Sequence, residues 1–298
     1  MSQIPETLLK RIRAIMPELN IETVEHNQEG LINDVVVVNR ELVFRFAKTE
    51  RYADFLDTEM NILDLVRPNL GVGVPTPIHR ERGCVVYPFL DGGPLLRETI
   101  LALNAETQAS IAEQLGKFLH GLHTAGITGV DWEIPLTPAP ATRERWLGLH
   151  GRIREKVYPL MLKHQVQWAE RLFESVLEAE SDPFDYQPAL IHGDLAPYHI
   201  LYDVNRREIT GVLDFGVAGI GDAALDIGSL ITAYGETFVA KMGKTYPKLD
   251  EHLPRARFYS QAIELQWILL GLESGETFWF TAHLGNARDV KGNIGLPG

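Results

Sequence analysis

Apolar positions in this chain form short strips up to Gly92-Gly93-Pro94 and recur mainly at helical spacing after it. At the start, Ile4, Leu8, Ile12, Ile15 and Leu19 predict an amphipathic helix docked on its own protein. Residues 20–48 are β-rich: Val35–Val38 and Leu42–Phe46 are apolar runs broken by Asn39-Arg40 as a turn. "FLDTEMNILDLV" reads as a helix, and "VPTPIHRERGCVVYPFL" as a strand pair turning at Arg82-Gly83. Beyond Gly92-Gly93-Pro94 the spacing predicts helices over Ala105–His123, Arg143–His150, Arg152 to about Glu180, and most of the chain from Ala223 on. Between Leu190 and Leu213 two short strands flank "DVNRRE". The expected fold class is α+β, with a small β-rich N-lobe over residues 1–91 and a larger, mainly helical C-lobe over residues 92–298.

Composition narrows the class of protein. Apolar residues at 45% and charged residues at 23% are those of an ordinary soluble protein with a sizeable core. The single cysteine, Cys84, excludes an internal disulfide and a cysteine-based zinc site, and fits a cytoplasmic location. No apolar run approaches the roughly 18 residues of a membrane span. A net charge of −12 repels phosphate backbones and draws in cationic small molecules. No nucleic-acid or membrane partner is therefore expected, and the chain is expected to be a monomer.

The candidate chemistry lies in "LIHGDLAPYHILYD", where Asp194 stands in a loop with His192 before it and His199 after it. A second loop, "GVLDFGVAGIGDAALDIGSL", carries Asp214-Phe215-Gly216 directly after a strand over residues 210–213. A loop aspartate, a metal-binding side chain five residues on, a short hairpin, then Asp-Phe-Gly is the order of a kinase catalytic centre. A phosphoryl acceptor needs a carboxylate to orient its hydroxyl and take the proton, which suits Asp194. The phosphates need a divalent cation held by hard oxygen ligands such as Asp214, and Gly216 is expected to free the backbone after it.

These motifs resemble the aminoglycoside phosphotransferase superfamily, with its bilobal protein-kinase-like fold, and most closely its aminoglycoside 2″- and macrolide 2′-phosphotransferase branches. The likeness runs over residues 31–289, with weaker support from "FRFAK", "EMNIL" and "FLHGLH". It implies Asp194 as catalytic base, Asp214 and His199 as magnesium ligands, and Asp226 and His192 as braces of the catalytic loop. Histidine at position 199, where most of the superfamily has asparagine, points to those two branches. For the nucleotide it implies Gly30 and Asn33 in a phosphate loop, Val43 beside the base, and Arg45 or Lys48 on the phosphates. Glu59 would pair with that cation, Phe89 and Leu90 would offer backbone groups to the purine, and Tyr87 would stand behind it as a gate. ATP and GTP both remain open as donor, with Mg2+ as cofactor.

For the acceptor, Glu236, Glu264, Trp267 and Glu273 are the candidates, with an aminoglycoside first and a macrolide second. A kinase of another hydroxylated metabolite and a silent nucleotide-binding module are the alternatives. A metal-dependent hydrolase built on His192, Asp194, His199 and Asp214 is a further one. His120 and His123, on an apolar helix, are read as packing residues rather than a metal pair.

Overall fold

The protein, described here from a computed structural model over residues 4–27 and 32–275, opens with a helix, α1 (Glu6–Ile15), laid on a five-stranded antiparallel sheet. The strands are β1 (Val24–Asn27), β2 (Asn33–Val38), β3 (Leu42–Ala47), β4 (His79–Glu81) and β5 (Cys84–Pro88), in the order β1-β2-β3-β5-β4. The predicted β2–β3 turn is made by Asn39 (φ 55°) and Arg40 (φ 54°), closed by Glu41 N–H donating to Val38 O at 2.9 Å. Positive φ at both central residues matches the right-handed twist of the strands. Arg40 tolerates it with its guanidinium 5.2 Å over the Phe89 ring.

Strand alternation divides the sheet into two faces. Phe44, Phe46, Cys84 and Val86 point outward and are covered by Leu8 and Ile12 of α1. Val43, Val85 and Tyr87 face inward with Arg45, against α2 (Glu50–Leu70) and the main core. Beyond α2, Gly73 pairs with Gly211, and Gly73 O accepts from Val212 N–H at 2.9 Å. A Cβ on Gly73 would lie 2.4 Å from Thr210 O, so glycine there is a matter of space.

After Pro88 the chain passes through β6 (Gly93–Pro94) into α3 (Arg97–Ala102), α4 (Ala105–His123), α5 (Arg143–Lys156) and α6 (Lys163–Leu177). The interruption expected at residue 151 instead falls at Val157–Leu162, where Pro159 sits in a 3-10 turn; proline cannot donate the next helical hydrogen bond, whereas Gly151 only weakens a helix. Short strands follow: β7 (Ala189–Ile191), β8 (Ile200–Asp203), β9 (Glu208–Val212) and β10 (Gly219–Gly221). β7 pairs with β10, and β8 lies between β6 and β9. The strands β1 and β10, and α3, are additions to the pattern read from periodicity; each is too short to show one. Helices α7 (Ala224–Tyr234), α8 (Glu236–Val239) and α9 (Leu249–Ser274) complete the described chain. The result is a small antiparallel-sheet lobe on a helical lobe, an α+β architecture of protein-kinase type. Among the described residues no helix is long and apolar enough to cross a membrane.

Candidate active site

The loop after β7 is held from below by one buried carboxylate. Asp226, in the first turn of α7 and fully buried, accepts from His192 N–H at 2.8 Å and from Gly193 N–H at 2.9 Å. Burial alone would raise its pKa, but the bonds from His123 and the loop outweigh it and hold the carboxyl below its ordinary range. Gly193 sits at φ 80° and faces Val217 O, which a Cβ would meet at 2.9 Å. The loop therefore needs glycine on both counts.

His123 is the residue that periodicity missed. Its Nε2–H donates to Asp226 Oδ2 at 3.0 Å, leaving Nδ1 to accept from the Tyr246 hydroxyl at 2.8 Å. A histidine on an apolar helix reads as packing; this one is also the far end of the support under the Asp194 loop. His192 has no lone pair to spare. Its Nε2–H donates to Leu213 O at 3.0 Å and its Nδ1 faces Asp194 N–H at 3.3 Å. Burial lowers its pKa and keeps it neutral. With both nitrogens engaged, His192 cannot be a metal ligand, which removes the four-residue hydrolase centre.

Asp194 and His199 are joined through a short 3-10 turn, Pro197–His199. His199 Nδ1–H donates to Asp194 O at 2.8 Å, and its Nε2 lies 3.4 Å from Asp214 Oδ2. Since the carbonyl can only accept, a neutral His199 aims the Nε2 lone pair at a carboxylate oxygen. Two acceptors facing each other require a cation between them, either a proton or a metal ion. The donor set fits magnesium that keeps waters and phosphate oxygens as its other ligands. Burial lowers the His199 pKa, but the Asp214 hydrogen bond and charge outweigh it and raise it overall. Asp214 goes the other way: burial raises its pKa, and His199 and Arg45 pull it well below the usual range. Asp194 is raised, chiefly by burial.

Asp214 itself, not Gly216, takes the left-handed backbone, at φ 62°. At Gly216 a Cβ would crowd the Asp214 carboxylate, 3.1 Å from Oδ1, and meet Glu59 Oε2 at an ordinary 3.9 Å. Leu213 N–H donates to His199 O at 2.8 Å, so the two arms of the β8–β9 hairpin carry His199 and Asp214 side by side.

From the sheet side, Arg45 reaches Glu59 of α2 with two bonds, Nη1 to Oε1 at 2.6 Å and Nη2 to Oε2 at 2.9 Å. Burial opposes the Arg45 charge, but Glu59, Tyr87 and Asp214 together raise its pKa. Tyr87, across from Val43, is buried beside this pair, and burial pushes its hydroxyl up to about 12. Lys48 is exposed at the end of β3. Asn33 is buried, and its Oδ1 has no partner among the described residues. Phe89 N–H is taken by Glu41 O at 2.8 Å, so of the backbone groups expected for a base it is already engaged. Gly30 lies outside the described residues.

The acceptor candidates lie on α8 (Glu236) and α9 (Glu264, Trp267 and Glu273). Glu236 is paired two-pronged with Arg257, and Glu273 with Arg152 and, at 2.8 Å, with Lys156. Glu264 and Trp267 are half-buried on α9. A cavity of about 510 Å³ opens between α6, the 182–185 loop and α9; Asp194, His199 and Asp214 are not in its wall.

Known proteins share this fold. Viomycin phosphotransferase of Streptomyces vinaceus is 28% identical over 229 residues, 72% of this chain and 75% of its own. The GDP complex of wild-type aminoglycoside 2'-phosphotransferase-IIIa superposes with a TM-score of 0.84 at 27% identity, covering 98% of this chain and 100% of that one. Macrolide 2'-phosphotransferase type I shares the fold, with a TM-score of 0.69 at 20% identity over 95% and 97% of the two chains. The pattern of the phosphotransferase enzyme family matches residues 23–259. The chain belongs to the phosphotransferase enzyme family and is a small-molecule kinase.

Proposed function

We propose that this chain moves the γ-phosphoryl group of ATP or GTP to a hydroxyl of an antibiotic, an aminoglycoside first and a macrolide second. The observation that carries the reading is the meeting of Asp194, His199 and Asp214 at one end of a hairpin, with Arg45 and Glu59 facing Asp214 from the sheet. Asp194 accepts the acceptor's O–H, orients its oxygen, and takes the proton as the new O–P bond forms and the bond to the nucleoside diphosphate breaks. Burial makes Asp194 a stronger base than a solvated aspartate. Asp214 and His199 would hold magnesium, which when bound neutralises phosphate charge. Arg45, its fork bonded to Glu59, would turn its remaining N–H groups and its charge to the phosphates, with exposed Lys48 as the second cation. Asn33 Oδ1 awaits a donor, and Val43 and Tyr87 form the inner wall of the base site. His192 and Asp226 brace the loop.

The relative holding GDP supports a guanine nucleotide beside ATP as donor. Its name, with that of the viomycin enzyme, supports an antibiotic acceptor. Glu264 and Trp267 are the half-buried acceptor candidates on α9. Glu236 and Glu273 reach an acceptor only by leaving their cationic partners. The test is turnover with ATP and with GTP, magnesium present, against aminoglycosides and macrolides. Stimulation by a panel member is expected, and Asp194→Asn should lower it by about 10²–10⁴-fold with nucleotide affinity near normal. Turnover retained in that variant refutes the role of Asp194.

A further inference from the structure

Tyr198 is the residue between Pro197 and the metal-side His199, and the site described so far gives it no task. A large aromatic in such a loop usually turns into the core, yet Tyr198 is 56% exposed. Its position is nonetheless set. The 3-10 turn begins with Pro197, His199 N–H donates to Ala196 O at 2.9 Å, and the Tyr198 ring stands edge-on to the His199 imidazole at 4.4 Å. The ring is thus pre-positioned on one side and open on the other.

The phenol also stands in the loop that carries Asp194 and His199, and its hydroxyl is a neutral donor there. A cation there would be drawn in by Asp194 directly. What a rigid, half-exposed phenol adds is a flat apolar face with a polar edge, suited to a ring that is apolar on its faces and hydroxylated at its rim.

We propose that Tyr198 forms a wall of the acceptor subsite, stacking on the pyranose ring that carries the reacting hydroxyl and donating its O–H to a neighbouring oxygen of that ring. This rests on the phosphotransferase reading above and names the acceptor as a glycoside, whatever its aglycone. Because the contact is made equally before and during transfer, it acts on acceptor binding rather than on the chemical step.

The experiment compares wild type, Tyr198→Phe and Tyr198→Ala, with kanamycin and erythromycin as probes. Acceptor KM, kcat, nucleotide KM and the magnesium concentration for half-maximal rate are measured for each, and calorimetric titration of each probe is run with a non-hydrolysable nucleotide bound. Tyr198→Ala should raise the acceptor KM about tenfold or more, and Tyr198→Phe by a smaller factor. In both, kcat, nucleotide KM and magnesium dependence should stay within about twofold of wild type. A changed magnesium dependence with an unchanged acceptor KM would show that the ring only steadies His199, and overturns the proposal while leaving the phosphotransferase reading intact. Nucleotide binding by wild type without binding or turnover of either probe overturns both the acceptor assignment and the glycoside wall.

Discussion

The Arg45–Glu59 pair allows structure and catalysis to be separated by substitution. Arg45 is 7% exposed and Glu59 2%, and their two bonds are 2.6 and 2.9 Å long. Glu59→Gln keeps the shape and removes the charge, leaving a guanidinium buried without its main counter-ion. Breaking a buried pair in this way costs about 3–5 kcal/mol. Asp214 still faces Arg45 and recovers part of it, which places the expected loss near the lower end, about 3 kcal/mol. The paired replacement Arg45→Met with Glu59→Leu removes both desolvation penalties and should come within about 1 kcal/mol of wild type. Its turnover should nevertheless fall by about 10²–10³-fold, since the phosphates lose an oriented cation. Urea unfolding gives the stabilities, provided the slopes agree among variants. Turnover at saturating ATP or GTP with magnesium gives the rates. If the apolar pair recovers both stability and turnover, Arg45 is structural and the phosphate cation must be sought in Lys48. If Glu59→Gln is as stable as wild type, the burial argument itself is wrong.

His123→Ala should lower kcat with little change in nucleotide KM, because Asp226 loses a bond and the loop its fixed height; Tyr246→Phe should do the same more mildly, costing about 1 kcal/mol of stability. A stability loss in His123→Ala with kcat unchanged would reduce that histidine to packing. Gly193→Ala, at φ 80° with Val217 O in the way, should destabilise by more than the ~1–2 kcal/mol that left-handed strain alone costs, whereas Gly129→Ala, at φ 82° with open space around it, should show the strain alone in thermal unfolding.

Much of the site was readable in residue order because its parts are local. Asp194 and His199 lie within one turn-forming stretch, and a hairpin brings Asp214 to them. Alternation along β3 put Val43 and Arg45 on one face, and a charge between Phe44 and Phe46 announced that a partner must exist. Glu59 as that partner came from family likeness, since nothing along α2 distinguishes it from the helix's other carboxylates until the helix is docked.

Other features depend on chain segments far apart in sequence. His123 meets Asp226 across 103 residues, and helical spacing reports only that its helix is buried, not which acceptor its ring will find. The carboxylates of Glu236 and Glu273 looked available to a cationic acceptor, yet Arg257, Arg152 and Lys156 reach them through tertiary packing. Likewise Phe89 N–H was open on paper and is taken by the neighbouring strand's end. The sequence alone determined most of the order of elements, the two-lobed plan and the loops on which Asp194, His199 and Asp214 lie, because periodicity and short motifs record local burial and local turns. Only the tertiary structure decided which charges are compensated, which imidazole nitrogens retain a lone pair, and which hydrogen-bonding groups face the cleft, because those follow from distances between segments that no local pattern encodes.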